Sequence, residues 1–372
     1  MEQQIYEDAF IKTFVKQQDF LDFLYERENN SRWERHKSND IRFNAINEAD
    51  YMFSIEENIY ADTFRNTGLL LKVSGESYPV RSCAIKTICD RAGVSGNSLG
   101  KIPKPALADI FNHCIKVSSG FALLRYSEDK ISAVNGGDKS DYAPLPIPEL
   151  FSITTKYLDL EYPGSLFAGG FYSHSIVSAV WELTNNDELL KTYKEALKNH
   201  GIITKTMKPA LRLVSSDVGI SGANLFPMLI LDSEKNITLG NALRLEHNAG
   251  EATLEVFKEQ LGMIFAQYKT AINGLIELLK TDIKYPVNCM LGVMKKIKLP
   301  KKLAYEAVEL FKAQRGEEPC TAHDIYYGIN EILFMLQCNG IEGLKLVETE
   351  EKIARTLTIH WHDYDIPGEI KW

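Results

Sequence analysis

Long apolar runs are missing from this sequence. None approaches the roughly 20 residues that a membrane-spanning helix needs, so a membrane-embedded chain is not expected. Cysteine is sparse: there are six residues and no C-x-x-C pair, which argues against a zinc ribbon and a disulfide framework and points to a reducing compartment. The start, Met1-Glu2-Gln3-Gln4, does not read as a secretory leader. Net positive charge is also lacking. The formal balance of -8 argues against a strongly electrostatic nucleic-acid binder, although a local basic face remains open. No internal repeat, low-complexity linker or G-x-S-x-G elbow occurs. The run from Gly93 to Lys101 is not a phosphate loop: its first glycine is out of register, Ile102 stands where Ser or Thr is needed, and it follows a helical pattern.

What is present is ordinary globular composition, with 45% hydrophobic and 25% charged residues in 372, enough for one large or two modest domains. The spacing predicts helices over 5–28, with Phe10, Phe14, Leu21 and Leu24 on one side, and over 47–65. Between them Arg32, Arg35, His36 and Lys37 read as a mildly basic loop. Strands are expected at 69–73 and 78–81 around a Ser74-Gly75-Glu76-Ser77 turn, with Ser82 capping a helix to Ala92. A helix over 104–115 follows. Hairpins are expected over 121–135, across Glu128-Asp129, and over 167–182. Helices over 146–158 and 187–199 interleave them. After Leu279 the pattern is helical: 286–297, 300–315, 321–336 and a less regular 345–357. The fold class is α+β: a central, mostly antiparallel sheet packed by a long helix, with helical N- and C-terminal regions. The expected units are an N-terminal helical region (1–66), an α+β core (67–280) and a C-terminal helical region (281–372).

The densest pattern lies in 211–250. Leu211 and Leu213 flank Arg212 as in a half-buried strand; Ser215, Ser216, Asp217, Gly219 and Gly222 then supply turn chemistry. Residues 225–231 form a continuous apolar run, with Pro227 expected near a strand start or on an edge. Ile237, Leu239, Leu243 and Leu245 alternate with Thr238, Arg244 and Glu246 as in one further strand. Asn241 and His247 fall on its apolar side, either satisfied by hydrogen bonds or lining a site. Glu251 opens a helix of roughly 40 Å carrying Leu254, Phe257, Leu261, Ile264, Tyr268, Ile272, Leu275 and Leu279.

Four groups of residues carry candidate chemistry. Lys295, Lys296, Lys298, Lys301 and Lys302 are either a phosphate-neutralising patch or helix-end lysines that suit the dipole. His360 and His362 would share one face of an extended segment and, with Asp363 or Asp365, offer metal ligands; the alternative is a tail docked through Trp361, Tyr364 and Trp372. Ser215, Ser216 and Asp217 are a nucleophile with a helper or, without a positioned histidine, a polar turn. Arg212 and Arg244 project from neighbouring strands, to hold an anion or nucleic-acid backbone or to pair with carboxylates such as Glu246 or Asp217.

Several segments together resemble the phage/plasmid-like proteins of domain of unknown function family 932. They are 82–100, Leu123-Leu124-Arg125-Tyr126 with Ile131-Ser132-Ala133-Val134, Ser215-Ser216-Asp217-Val218-Gly219, Leu245-Glu246-His247-Asn248-Ala249-Gly250, and 321–331. The resemblance implies a mobile-element protein in the bacterial host cytoplasm, with nucleic acid or a host protein as partner. A non-enzymatic binding protein without cofactor is the leading expectation. Its candidate nucleic-acid contacts are Arg212, Arg244, His247 and the five lysines. A metal-dependent nuclease or hydrolase using His360, His362, Asp363 and Asp365 is one alternative, and a protein inhibitor of a host defence system another. A homo-oligomer stays open.

Overall fold

The computed structural model describes residues 3–47, 49, 56–96, 98–118, 120–138, 141–203, 206–231, 235–247, 253–368, 370 and 372. A short strand, β1 (Ile11–Phe14), precedes helix α1 (Gln17–Asn29), which buries Phe20, Phe23 and Leu24 at helical spacing. Then come β2 (Ser31–Lys37), β3 (Arg42–Ala45), α2 (Glu57–Arg65), β4 (Leu69–Val73) and β5 (Glu76–Pro79). The first 66 residues are thus not wholly helical. The expected helix over 5–28 yields its first part to β1, and the basic loop is strand β2, paired with β6 (Phe121–Ser127). Its polarity hid it, because β2 is an edge strand with little apolar alternation. Of the helix expected over 47–65, Glu57–Arg65 is present; 48 and 50–55 lie outside the described residues.

Helices α3 (Ala84–Ala92) and α4 (Lys104–Val117) lead into β6 and β7 (Lys130–Gly136). Glu128 and Asp129 both take positive φ, as a two-residue hairpin turn of matching twist requires. Ser82 does not cap α3; its hydroxyl donates to Asp8 at 2.6 Å. These elements enclose one core, formed by Phe43, Leu69, Leu71, Ile88, Phe111, Leu124 and Ile131 among others. Lys130, fully buried, ties the N-terminal segment to it through Asp8 Oδ1 (3.0 Å) and Asp62 Oδ2 (2.6 Å).

The larger core is built on α5 (Ile147–Glu161), β8 (Leu166–Ser173), β9 (Val177–Glu182), α6 (Lys191–Asn199), β10 (Met207–Ser215), β11 (Ala223–Leu231), β12 (Asn236–Thr238) and β13 (Leu243–Leu245). Among the described residues the main sheet has seven strands in the order β1-β8-β9-β10-β11-β12, with β13 also on β11, all antiparallel. The fold is α+β. The single strand expected over 237–247 is two, separated at Gly240, whose φ is +65°. This break explains Pro227 in the interior of β11. β12 pairs with Met228–Ile230 and β13 with Ala223–Leu225, so the proline faces the gap between them and no ladder donor is lost.

The 40 Å helix is also two: α7 (Leu254–Gly262), capped by the Thr253 hydroxyl, and α8 (Ile264–Leu279). The apolar spacing runs unbroken through the bend, so periodicity could not reveal it; Gly262 is the residue that weakens the helix there. Glu251 lies outside the described residues. Tyr268 on α8 pins helix to sheet, donating to Met228 O and accepting from Ala210 N. The chain closes with β14 (Asp282–Ile283), α9 (Pro286–Lys296), α10 (Lys301–Arg315), β15 (Cys320–Thr321), α11 (Ala322–Cys338) and α12 (Gly343–Ala354). α11 starts with a reciprocal capping box between Thr321 and Asp324. No helix among the described residues is long and apolar enough to cross a membrane.

α11 carries a buried histidine that makes stability pH-dependent. His323 Nε2 lies 2.5 Å from Tyr193 Oη on α6, and the ring stacks on Tyr327. Burial pushes its pKa down from 6.5 to about 4. The unfolded chain therefore takes the proton first on acidification, and stability is lost as pH falls from about 6.5 to 4. Urea midpoints measured across that window should fall, and His323→Gln should flatten the decline by an amount on the order of 3 kcal/mol. An unchanged slope in the variant would refute this assignment. Burial lowers His174 and His247 in the same direction, so part of the slope persists.

Candidate functional site

Four separate segments meet at the end of β10. Arg125 on β6 donates from Nη2 to Asp217 Oδ2 at 3.1 Å, and both residues are buried. The guanidinium also lies 5.5 Å from the Trp33 ring centre and 3.5 Å from Glu28. Tyr142 packs on Trp33 at 5.3 Å and stacks on His247 at 5.0 Å. Gly219, at φ +82°, approaches so closely that a Cβ would sit 2.7 Å from the Tyr142 ring. Cys83, Ala133 and Val218 pack together beside them. So 82–100, the β6–β7 hairpin, 215–219 and His247 come together, four of the five segments that carry the family resemblance. The fifth, 321–331, opens α11 in the larger core. Residues 248–250 lie outside the described residues.

This cluster is a buried junction. Burial pushes the Asp217 carboxyl up, and Arg125 opposes it. Ser216 forms a polar turn: its hydroxyl donates to Ser175 O (2.8 Å) and accepts from Val218 N and Ile220 N. His247 does not reach these serines. Its ring nitrogens face Ala143 O (3.1 Å) and Ser221 O (3.0 Å). The nucleophile arrangement is therefore not assembled. His247, 8% exposed, is a clamp between loops and not a nucleic-acid contact.

Arg212 and Arg244 do share one face of the sheet. Arg212 opposes Phe226 and Arg244 opposes Asn224, two residues along the same strand. That face is covered by α12. Glu350 pairs with Arg212 and accepts from the Thr238 hydroxyl; Glu351 lies 3.9 Å from Arg244. Arg212 is 4% exposed and does not reach solvent as a phosphate contact would. Arg244 is exposed and also pairs with Glu246 at 3.3 Å, a neighbour two residues along the chain rather than across the sheet. Burial raises the Glu351 carboxyl, against Arg212, Arg355 and Arg244.

The five lysines lie on and beside the turn joining α9 and α10, Lys298 on the turn itself, and all are exposed. The His360 to Asp365 stretch is not extended. Trp361–Tyr364 is a 3-10 turn, and three residues per turn swing His360 and His362 to different sides. Asp365 accepts from Lys284 N (3.0 Å) and Tyr285 N (2.7 Å) just ahead of α9, so it holds that helix start and offers no ligand pair with Asp363. Trp361 is buried, and Tyr364 packs on Gly292. Among the described residues no group of three or more His, Cys, Asp or Glu side chains is placed to hold a metal. The docked-tail reading describes this segment.

Sequence reasoning missed Glu350 and Glu351, whose helix was the least regular, and the role of Arg125. The signal for Arg125 was a lone cation inside the apolar run Leu123-Leu124-Arg125-Tyr126. Glu350→Leu should cost about 3–5 kcal/mol, because it strands a buried guanidinium. The double variant Glu350→Leu with Arg212→Met should regain most of that loss. Urea denaturation of the three proteins checks this; a single variant within 1 kcal/mol of the native chain (roughly the value of an exposed pair) would contradict it.

The chain matches no protein-family model, no curated protein and no solved structure.

Proposed function

We propose that this is a non-enzymatic nucleic-acid-binding protein of a mobile element, gripping phosphates through the α9–α10 turn. The observation that carries this reading is the placement of five exposed lysines within residues 295–302. Lys295 and Lys296 close α9, where cations suit the helix dipole. Lys301 and Lys302 open α10, where cations oppose it and the first turn holds no acidic residue. Helix stability thus accounts for the first pair and not for the second. A helix start flanked by lysines suits a phosphate, through backbone N–H groups and charge together.

Aromatic surface adjoins the cations. Lys301 lies 5.7 Å from the Tyr305 ring centre, and Tyr305 lies 6.1 Å from Trp372. Such rings stack bases of single strands without sequence preference. Lys302 pairs with Glu306 only at 3.8 Å, an exposed contact of small value. The net charge of -8 confines attraction to this local face. The mobile-element setting rests on the resemblance to family 932 alone.

Binding of single- and double-stranded DNA across a salt series tests the reading. Affinity should fall steeply with salt, and replacing all five lysines by Gln should reduce the log–log slope for the duplex by about three or more. The Lys301→Gln, Lys302→Gln pair should weaken binding without lowering the urea midpoint. Binding that ignores salt, or that survives the five substitutions unchanged, would remove the proposal.

A further inference from the structure

On the sheet face that α12 covers, a cleft of about 510 Å³ opens between the strands and α11. Its size falls in the range of small-molecule sites. Val180 and Met228 lie on its floor and Leu333 and Phe334 on its walls, alongside the polar side chains of Asn330 and Gln337. Gly169, across from Val180 in the β8–β9 register, contributes no side chain and leaves the floor open. Phe334 stands 52% exposed at the mouth, a large apolar surface facing water.

One polar group on the floor lacks a full set of partners. Arg212 donates from Nε to Ser178 Oγ at 3.0 Å, and from Nη1 to Glu350 and Thr238. Among the described residues Nη2 has no partner, although the residue is 96% buried (4% exposed) and lines the cleft. Nη2 is not among the enclosed, unpartnered side-chain atoms, so it opens on the cleft, where an acceptor on a ligand can meet it. The charges around the cleft cancel. Glu350 neutralises Arg212, and Glu331 holds Lys235 at 2.7 Å. An anionic ligand would meet Glu350 across the same guanidinium, and a cationic one would meet Arg212 itself.

We propose that this cleft binds a neutral, mostly apolar small molecule that presents one carbonyl oxygen to Arg212 Nη2. The apolar walls hold its body, and the guanidinium fixes its orientation. This site is separate from the lysine turn and independent of nucleic-acid binding.

Ligand-observed NMR titration of the full chain tests it with three probes of one shape class: N-benzylacetamide, phenylacetate and benzylammonium. The amide should bind saturably, roughly ten- to a hundredfold tighter than benzylammonium, which has no acceptor for Nη2, and tighter than phenylacetate. Val180→Trp, which fills the floor beside Arg212, should abolish amide binding in a chain whose circular dichroism is native. Phe334→Glu, at the exposed mouth, should weaken it several-fold and keeps the test valid if Val180→Trp does not fold. No saturable amide binding at its solubility limit overturns the proposal. So does phenylacetate binding as tightly as the amide, or amide binding that Phe334→Glu and a folded Val180→Trp leave unchanged.

Discussion

The pairing of Arg212 with Glu350 is the contact on which the arrangement of this protein depends. A guanidinium in the middle strand of the sheet, 4% exposed, cannot stay there without a partner. Its partner comes from the last long helix of the chain, so the C-terminal region must return across the sheet before the central strands are electrostatically satisfied. Glu351 adds a second tie from the adjacent position. The sheet thereby has two covered faces of different character. One packs Leu211, Leu213, Leu225 and Leu229 into the larger core with α7 and α8. The other is polar at its centre and bears the cleft.

The same logic appears at the other core. Lys130, with no exposure, is held by Asp8 and Asp62, and Arg81 donates to the carbonyl oxygens of Tyr6 and Glu7. The N-terminal segment is therefore anchored by buried charge as well as by Phe10, which packs against Phe23 and Tyr172. Buried ion pairs stabilise little relative to apolar replacements, yet losing one partner is costly. Their effect here is to commit distant segments to one arrangement. The Arg125–Asp217 pair does this for the four segments that meet at Gly219.

Once these cations are spent internally, the cations left to act outward are those on the surface. This shifts the proposed binding face away from the sheet, where the arginine pattern first pointed, to the α9–α10 turn. The sheet face becomes instead a site for a neutral molecule, because its charges are already balanced. Two candidate functions thus sit on two surfaces for one physical reason: whether a cation is buried against a carboxylate or stands exposed to solvent.

Local pattern in the sequence determined a good deal. Alternation around Arg212, the Glu128-Asp129 turn, the long apolar helices and the lysine run were all legible, because each depends on neighbours in the chain. The α+β class followed from their order. Strand β2 was not legible, since an edge strand needs little apolar alternation. Nor was the split at Gly240 or the bend at Gly262, because the apolar spacing continues through both. Tertiary structure alone decided that Arg212 and His247 are internal, that His360 and His362 diverge, and that an unfilled donor faces a cleft. Those outcomes depend on which carboxylate or carbonyl arrives from a remote segment, and hydrophobic periodicity carries no information about that.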